Sequence, residues 1–190
     1  MWPWEHFALG YVAVSLLLRG TKRPLTSETF VVLAVATQFP DLVDKPLAWA
    51  VNVLPSGTTL AHSIFVAVPL SVAIIAMSQW YRRGRLGVVF AVGYLLHLPA
   101  DVLYGTVTTG RRPAIEAVLW PLVAKAPSGD APGLLTKVFY FVGQYEQFLT
   151  SSQAVGYLVF EATLLGVALL LWVLDGYPGI SLLRTRRQRG

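Results

Sequence analysis

Apolar stretches long enough to cross a bilayer dominate this sequence, and they leave few folds open to it. A spanning helix needs about 20 largely apolar residues, and we read such segments at roughly 3–19, 30–54, 60–81, 86–104 and 155–175. Within hydrocarbon every backbone N–H and C=O must be satisfied internally, so segments of this kind imply helices. Only 13% of the 190 residues are charged and 55% are hydrophobic, whereas a soluble domain carries about 25% charged residues. The expected fold class is therefore all-α, a polytopic membrane helical bundle with about five transmembrane helices. Residues 1–180 are expected to form one integral membrane domain, with a basic cytoplasmic tail at 181–190. Cysteine is absent, which excludes a disulfide framework and leaves His, carboxylate or carbonyl as the available metal ligands. Trp2, Glu5 and His6 precede the first apolar run, so the pattern of a removed signal peptide is missing and the first helix is expected to stay.

Basic residues give the expected direction. Arg19, Lys22 and Arg23 follow the first segment, Arg82, Arg83 and Arg85 lie between the third and fourth, and Arg184, Arg186, Arg187 and Arg189 follow the fifth. Such clusters favour the cytoplasm, which predicts a multi-pass cell-membrane protein with its N-terminus outside and its C-terminus inside. The formal charge of +5 then reports orientation, and no nucleic-acid partner is expected. Residues 105–154 fall outside, with turns at Gly105, Gly110, Pro113, Pro127, Gly129 and Pro132. Two aromatic-rich runs there, 114–124 and 134–148, suit interfacial helices.

All three histidines sit in or at the edge of an apolar segment: His6, His62 and His97. An ionisable group at membrane depth is costly and points to a functional site. His97 and Asp101, at i and i+4, share one helix face; taken alone they also suit a buried His–Asp hydrogen bond. Asp41 and Asp44 lie between Pro40 and Pro46, where a helix break would bring carboxylates inward; a local ion pair with Lys45 is the simpler account of one of them. Gly10, four residues after His6, removes a side chain from that face and lets another helix approach. Twelve residues separate Arg85 from His97 and Thr29 from Asp41, or about 18 Å of helix. Both groups then lie beyond the midplane of a core about 30 Å thick, in the outer layer where His6 and His62 begin their segments. Glu161, also towards that side, reads as hydrogen-bonded structure.

In this order, His6-Phe7-Ala8-Leu9-Gly10, Phe39-Pro40-Asp41-Leu42-Val43-Asp44, His62-Ser63 and His97-Leu98-Pro99-Ala100-Asp101 resemble the membrane-bound metal-dependent hydrolases, the YdjM-like group. That group is similar in pattern to zinc-dependent phospholipase C and P1-nuclease sites. Leu119-Trp120-Pro121 resembles a further element of it. The chain departs from the group at Gly57, where many members have a second histidine, in the spacing of its two acids, and at Tyr104, where a threonine is common. One metal site keeps its support, and further metals lose theirs.

The resemblance implies a divalent metal held among His6, Asp41, His62, His97 and Asp101. Zn²⁺ suits such nitrogen and oxygen donors best, and Mn²⁺ or Fe²⁺ also fit. Asp44, or a carboxylate of the set left unbound, is the expected general base, and Arg111 and Arg112 the expected substrate-binding residues. The function expected is an integral membrane hydrolase with its site in the outer half of the bilayer. Membrane lipids are the expected partners, with a phospholipid or other lipid-linked ester as substrate. A structural metal site and a metal or proton transporter are the alternatives; the apolar inner halves of the segments count against transport.

Overall fold

The computed structural model describes residues 1–110, 112–126 and 133–180, and all regular structure among them is helical. The elements are α1 (Pro3–Gly20), α2 (Ser27–Trp49), α3 (Ile64–Trp80), α4 (Gly84–Thr109), α5 (Ile115–Val118), α6 (Leu134–Leu149) and α7 (Ala154–Leu174), with no strand among the described residues. The basic tail expected at 181–190 lies outside the described residues.

Among the described residues, only α4 and α7 are long and apolar enough to cross a membrane by composition, fewer than the five expected; α3 is apolar but has 17 residues. The shortfall has a physical source. Helix α1 carries Glu5, His6 and Arg19, and α2 carries Glu28, Asp41, Asp44 and Lys45. The break expected at 40–46 is also not formed, because α2 runs unbroken through Pro40 and Pro46 to Trp49. A proline removes one rung of the helix ladder without ending the helix where its surroundings hold the chain. The third segment starts later than expected, at Ile64, where Ser63 caps it. The Ser63 hydroxyl accepts the Phe65 N–H at 3.2 Å, and the Ser63 carbonyl accepts the Ala67 N–H at 2.8 Å.

The chain divides into two units. The first comprises Met1–Gln38, Leu70–His97 and Ala162–Gly190. Its core is built on the α1 stripe Ala8, Tyr11, Val14 and Leu18, packed with Leu33, Val89 and Ala168; these α1 spacings of three and four place one face inward. Glu5 is fully buried because its carboxylate accepts the Trp2 N–H at 2.6 Å and closes the helix start. At the other end, Asp175 accepts from Tyr11 at 2.9 Å, Ser15 at 2.7 Å and Arg19 at 2.6 Å, which ties α1 to the end of α7.

The second unit comprises Phe39–Pro69 and Leu98–Glu161. A non-helical loop follows α2 and is held by side chains from that helix. Ser63 donates to the Trp120 carbonyl, which seats the Leu119-Trp120-Pro121 element beside the start of α3. Trp49 stacks at a tilt on Phe141 of α6, 5.6 Å between centroids. Helix α6 has no buried residue, and Leu135, Phe139 and Tyr140 stand well exposed.

Candidate metal centre

In the second unit, the loop carrying His62 is organised by one carboxylate. Asp44 is fully buried. Its Oδ2 accepts the Thr59 N–H at 2.7 Å and the His62 N–H at 3.3 Å, and its Oδ1 accepts the Ala61 N–H at 2.8 Å. The same Oδ2 lies 2.8 Å from His62 Nδ1. An ionised carboxylate only accepts, so this contact assigns a proton to Nδ1.

Nε2 faces two further carboxylates, Asp101 Oδ2 at 3.4 Å and Asp41 Oδ1 at 3.6 Å. A charge-assisted N–H···O bond typically closes to about 2.7–2.9 Å, and these two contacts are longer than that. They match the spacing of donors around a tetrahedral cation, since ligand bonds of about 2.0–2.2 Å at the tetrahedral angle set donor atoms about 3.4 Å apart. Asp41, His62 and Asp101 each offer one donor atom, all within 4.8 Å of one another, and this cluster could hold a metal ion. The second oxygen of Asp41 accepts from Lys45 at 2.5 Å. Lys45 therefore fixes the carboxylate and leaves its other oxygen towards His62.

In the first unit, His6 and His97 lie face to face, 3.6 Å between centroids and 8° between planes, and both are buried. His97 Nδ1 lies 2.7 Å from the Thr37 carbonyl. A carbonyl also only accepts, so Nδ1 carries a proton here too. Two glycines allow this packing. A Cβ on Gly10 would lie 2.5 Å from Thr37 Cγ2, and one on Gly93 would lie 3.0 Å from Ala36 Cβ. Each stands four residues from a histidine of the stack, His6 or His97, so the small residue and the ring share a helix face. Helix α4 then continues one turn from His97 to Asp101 without interruption.

A cavity of about 160 Å³ opens onto the second unit's cluster, lined among others by Thr58, His62, Leu98, Asp101, Val118 and Lys125. Asp101 is the cluster carboxylate that lines it. Its side chain is 21% exposed, against 9% for Asp41 and 0% for Asp44. Lys125 donates to the Thr58 carbonyl at 3.2 Å and to the Thr58 hydroxyl. Burial pushes the Lys125 ammonium below its usual value, against the attraction of Asp101, Glu116 and Asp44. Sequence reasoning missed Lys125, which stands alone in a proline-rich loop with no motif around it.

Two arginines, Arg111 and Arg112, were expected to bind substrate. Arg111 lies outside the described residues, and Arg112 is exposed and does not line the cavity. Trp49 explains the departure at Gly57. A Cβ there would lie 2.8 Å from the indole, so the ring fills the space a side chain at 57 would need. Tyr104 turns to Tyr157, with their hydroxyls 3.4 Å apart, and Glu161 accepts from Tyr145 at 3.3 Å.

Among the described residues the structure is helical, with two apolar helices of bilayer length and a largely buried His/Asp cluster able to hold a metal ion, as suits a helical membrane protein. The sequence matches the family described as YdjM inner membrane protein over residues 1–177, and the chain belongs to that family. No curated protein and no solved structure matches it.

Proposed function

We propose that this chain is an integral membrane, divalent-metal-dependent hydrolase acting on a phospholipid or other ester. The observation that carries the reading is the environment of His62 Nε2. Its ring is fixed through Nδ1 by Asp44, and its Nε2 stands at ligand spacing from Asp41 and Asp101. His97, with its own Nδ1 held by Thr37, stays a candidate ligand through its i, i+4 spacing to Asp101 in the sequence. His6 supports the His97 ring by stacking. Zn²⁺ fits this set of nitrogens and oxygens, with Mn²⁺ or Fe²⁺ as substitutes.

When bound, such an ion supplies Lewis acidity and makes water a nucleophile near neutral pH. The protein's own groups do the rest. Asp44 orients His62; with both oxygens engaged by four donors it is poorly placed for the general-base role expected from sequence. Asp101, facing the cavity, is the carboxylate placed to take a proton from attacking water. The water oxygen bonds to the ester's electrophilic centre, and the departing alkoxide oxygen receives a proton. The cavity favours catalysis over a purely structural ion, because catalytic sites keep an open position and structural ones are closed.

We further propose five crossings, by α1, α2, α3, α4 and α7, with the basic clusters cytoplasmic and the site in the outer half. The polar residues that lower the hydropathy of α1 and α2 include Glu5, His6, Asp41 and Asp44, all buried, as intramembrane polar groups must be. The test is metal content of purified protein against His62→Ala, His97→Ala and Asp101→Ala. Stoichiometric metal in the parent and its loss in the variants is expected. Metal that is absent, or that survives all three substitutions, overturns the site, and phosphodiesterase and lipase assays on the loaded protein then test hydrolysis.

A further inference from the structure

We propose that the cavity beside His62 and Asp101 takes the first carbons of an acyl chain, so that the bond cleaved is a carboxylic ester whose carbonyl carbon sits at the cluster. This rests on the metal reading above and narrows its substrate class. Among the described lining residues five are apolar: Leu98, Val102, Ala114, Ala117 and Val118. The polar ones are paired with each other, Lys125 donating to Thr58 and His62 standing 3.4 Å from Asp101. Lys125 is also attracted by Asp101, Glu116 and Asp44, so its charge is met within the protein and asks for no anion from a substrate.

The apolar wall begins at the cluster itself. Leu98 and Val102 stand three residues before and one after Asp101 on α4, within little more than one helical turn. The segment carrying Ala114, Ala117 and Val118 is fastened to the sequence neighbours of both cluster residues. The Ala114 N–H donates to the Val102 carbonyl at 3.3 Å, and the Ser63 hydroxyl donates to the Trp120 carbonyl. Apolar surface this close to the reacting centre suits a substrate with hydrocarbon bonded directly to that centre. The carbonyl carbon of an acyl ester carries such a chain. The phosphorus of a phosphodiester carries only oxygens, which would lose water against this wall. Size sets how much enters. The volume of about 160 Å³ is close to the roughly 150 Å³ of an apolar cavity that holds one benzene ring. About six carbons then fit, and the rest of a longer chain stays outside. Ala117 is buried and small, and a larger side chain there would fill the space. In the reaction, water's oxygen bonds to the carbonyl carbon and the bond from that carbon to the ester oxygen breaks. The alcohol leaves with one of water's protons.

The probes are straight-chain hydroxamates from acetohydroxamate to hexanohydroxamate, which share one metal-binding head and differ only in chain length. Binding is read from the relaxation of their protons by Mn²⁺-loaded full-length protein in detergent, with metal-free protein as the blank for detergent uptake. Each added methylene is expected to tighten binding about two- to fourfold, so the longest probe exceeds the shortest about tenfold or more. Ala117→Leu is expected to remove most of that gain at unchanged Mn²⁺ content and unchanged acetohydroxamate affinity. Val118→Thr adds a hydroxyl at nearly the same volume; it is expected to weaken hexanohydroxamate about threefold or more and to leave acetohydroxamate alone. A flat series in the parent, a gain that survives both substitutions, or an equal loss for the shortest probe overturns the proposal. So does cleavage of phosphodiesters without cleavage of hexanoyl esters. A parent protein that takes up no Mn²⁺ overturns the metal reading and this one with it, and metal analysis tells that case apart. Displacement of hexanohydroxamate by phosphatidylcholine nanodiscs supports the site and marks a membrane lipid as the source of the chain; a bound probe that the nanodiscs leave in place supports it with a soluble acyl ester.

Discussion

Replacing Asp44 by asparagine tests the centre at the residue that organises it. Four donors converge on this carboxylate: the N–H groups of Thr59, Ala61 and His62, and His62 Nδ1. Asparagine offers one oxygen and one amide nitrogen. With its oxygen at the Oδ2 position, three donors stay satisfied and the Ala61 N–H meets another donor. The opposite rotamer orphans the other three. A buried donor left unsatisfied costs about 1–3 kcal/mol, and each retained bond loses its charge assistance. Together these loosen the 59–62 loop by about 3 kcal/mol, roughly a hundredfold in local opening. Losing the partner that orients a ligand histidine also lowers metal affinity about 10–100-fold. Hydrogen–deuterium exchange of the peptide covering residues 56–63, with chelator competition for affinity, reads both effects. Unchanged exchange and unchanged affinity in a variant that has lost hydrolysis would refute the orienting role and return Asp44 to the general base.

Three further predictions follow from the packing and the charge pattern. Gly10→Ala places a methyl 2.5 Å from Thr37 Cγ2, and an overpacked contact of this kind costs about 1–3 kcal/mol; a lower aggregation temperature in detergent is expected, and an unchanged one contradicts the close approach of α1 to α2. Asp175→Asn weakens the bonds to Tyr11, Ser15 and Arg19 by about 1–3 kcal/mol in total, most of it from the buried hydroxyl partners since Arg19 is part exposed; the same thermal assay checks it, and wild-type stability argues against the tie between α1 and α7. The chain contains no cysteine, so single substitutions report topology directly: Gln144→Cys in α6 should react with an impermeant maleimide on intact cells and Arg82→Cys should not. The reverse pattern would invert the sidedness of the site.

Helical class and the His and Asp residues of the cluster were legible in the sequence, for reasons that act locally. Long apolar runs demand internally satisfied backbone, which only helices provide without strand pairing, and α4 and α7 appear close to where those runs lie. Gly10 beside His6 was readable as a close approach because a missing side chain on one helix face is a local fact. Boundaries were less legible. The start of α3 depends on Ser63 as a cap and on Asp44 holding the preceding turn, a contact across 18 residues of sequence. The passage of α2 through its prolines depends on the surrounding structure, which no residue spacing encodes.

By itself, the sequence determined that this protein is helical, membrane-associated and equipped with His and Asp residues able to bind a metal ion. The tertiary structure alone decided how those residues divide their work. Asp44 and Asp41 have the same chemistry and lie three residues apart, yet one is engaged by four donors of the His62 loop and the other keeps an oxygen towards Nε2. Lys125 became visible only when folding set it in the lining of the same cavity as His62 and Asp101. Composition sets which groups must be buried, because hydrocarbon and backbone polarity act on every residue alike. Which buried group faces which partner is fixed by contacts between segments distant in sequence, and those exist only in the fold.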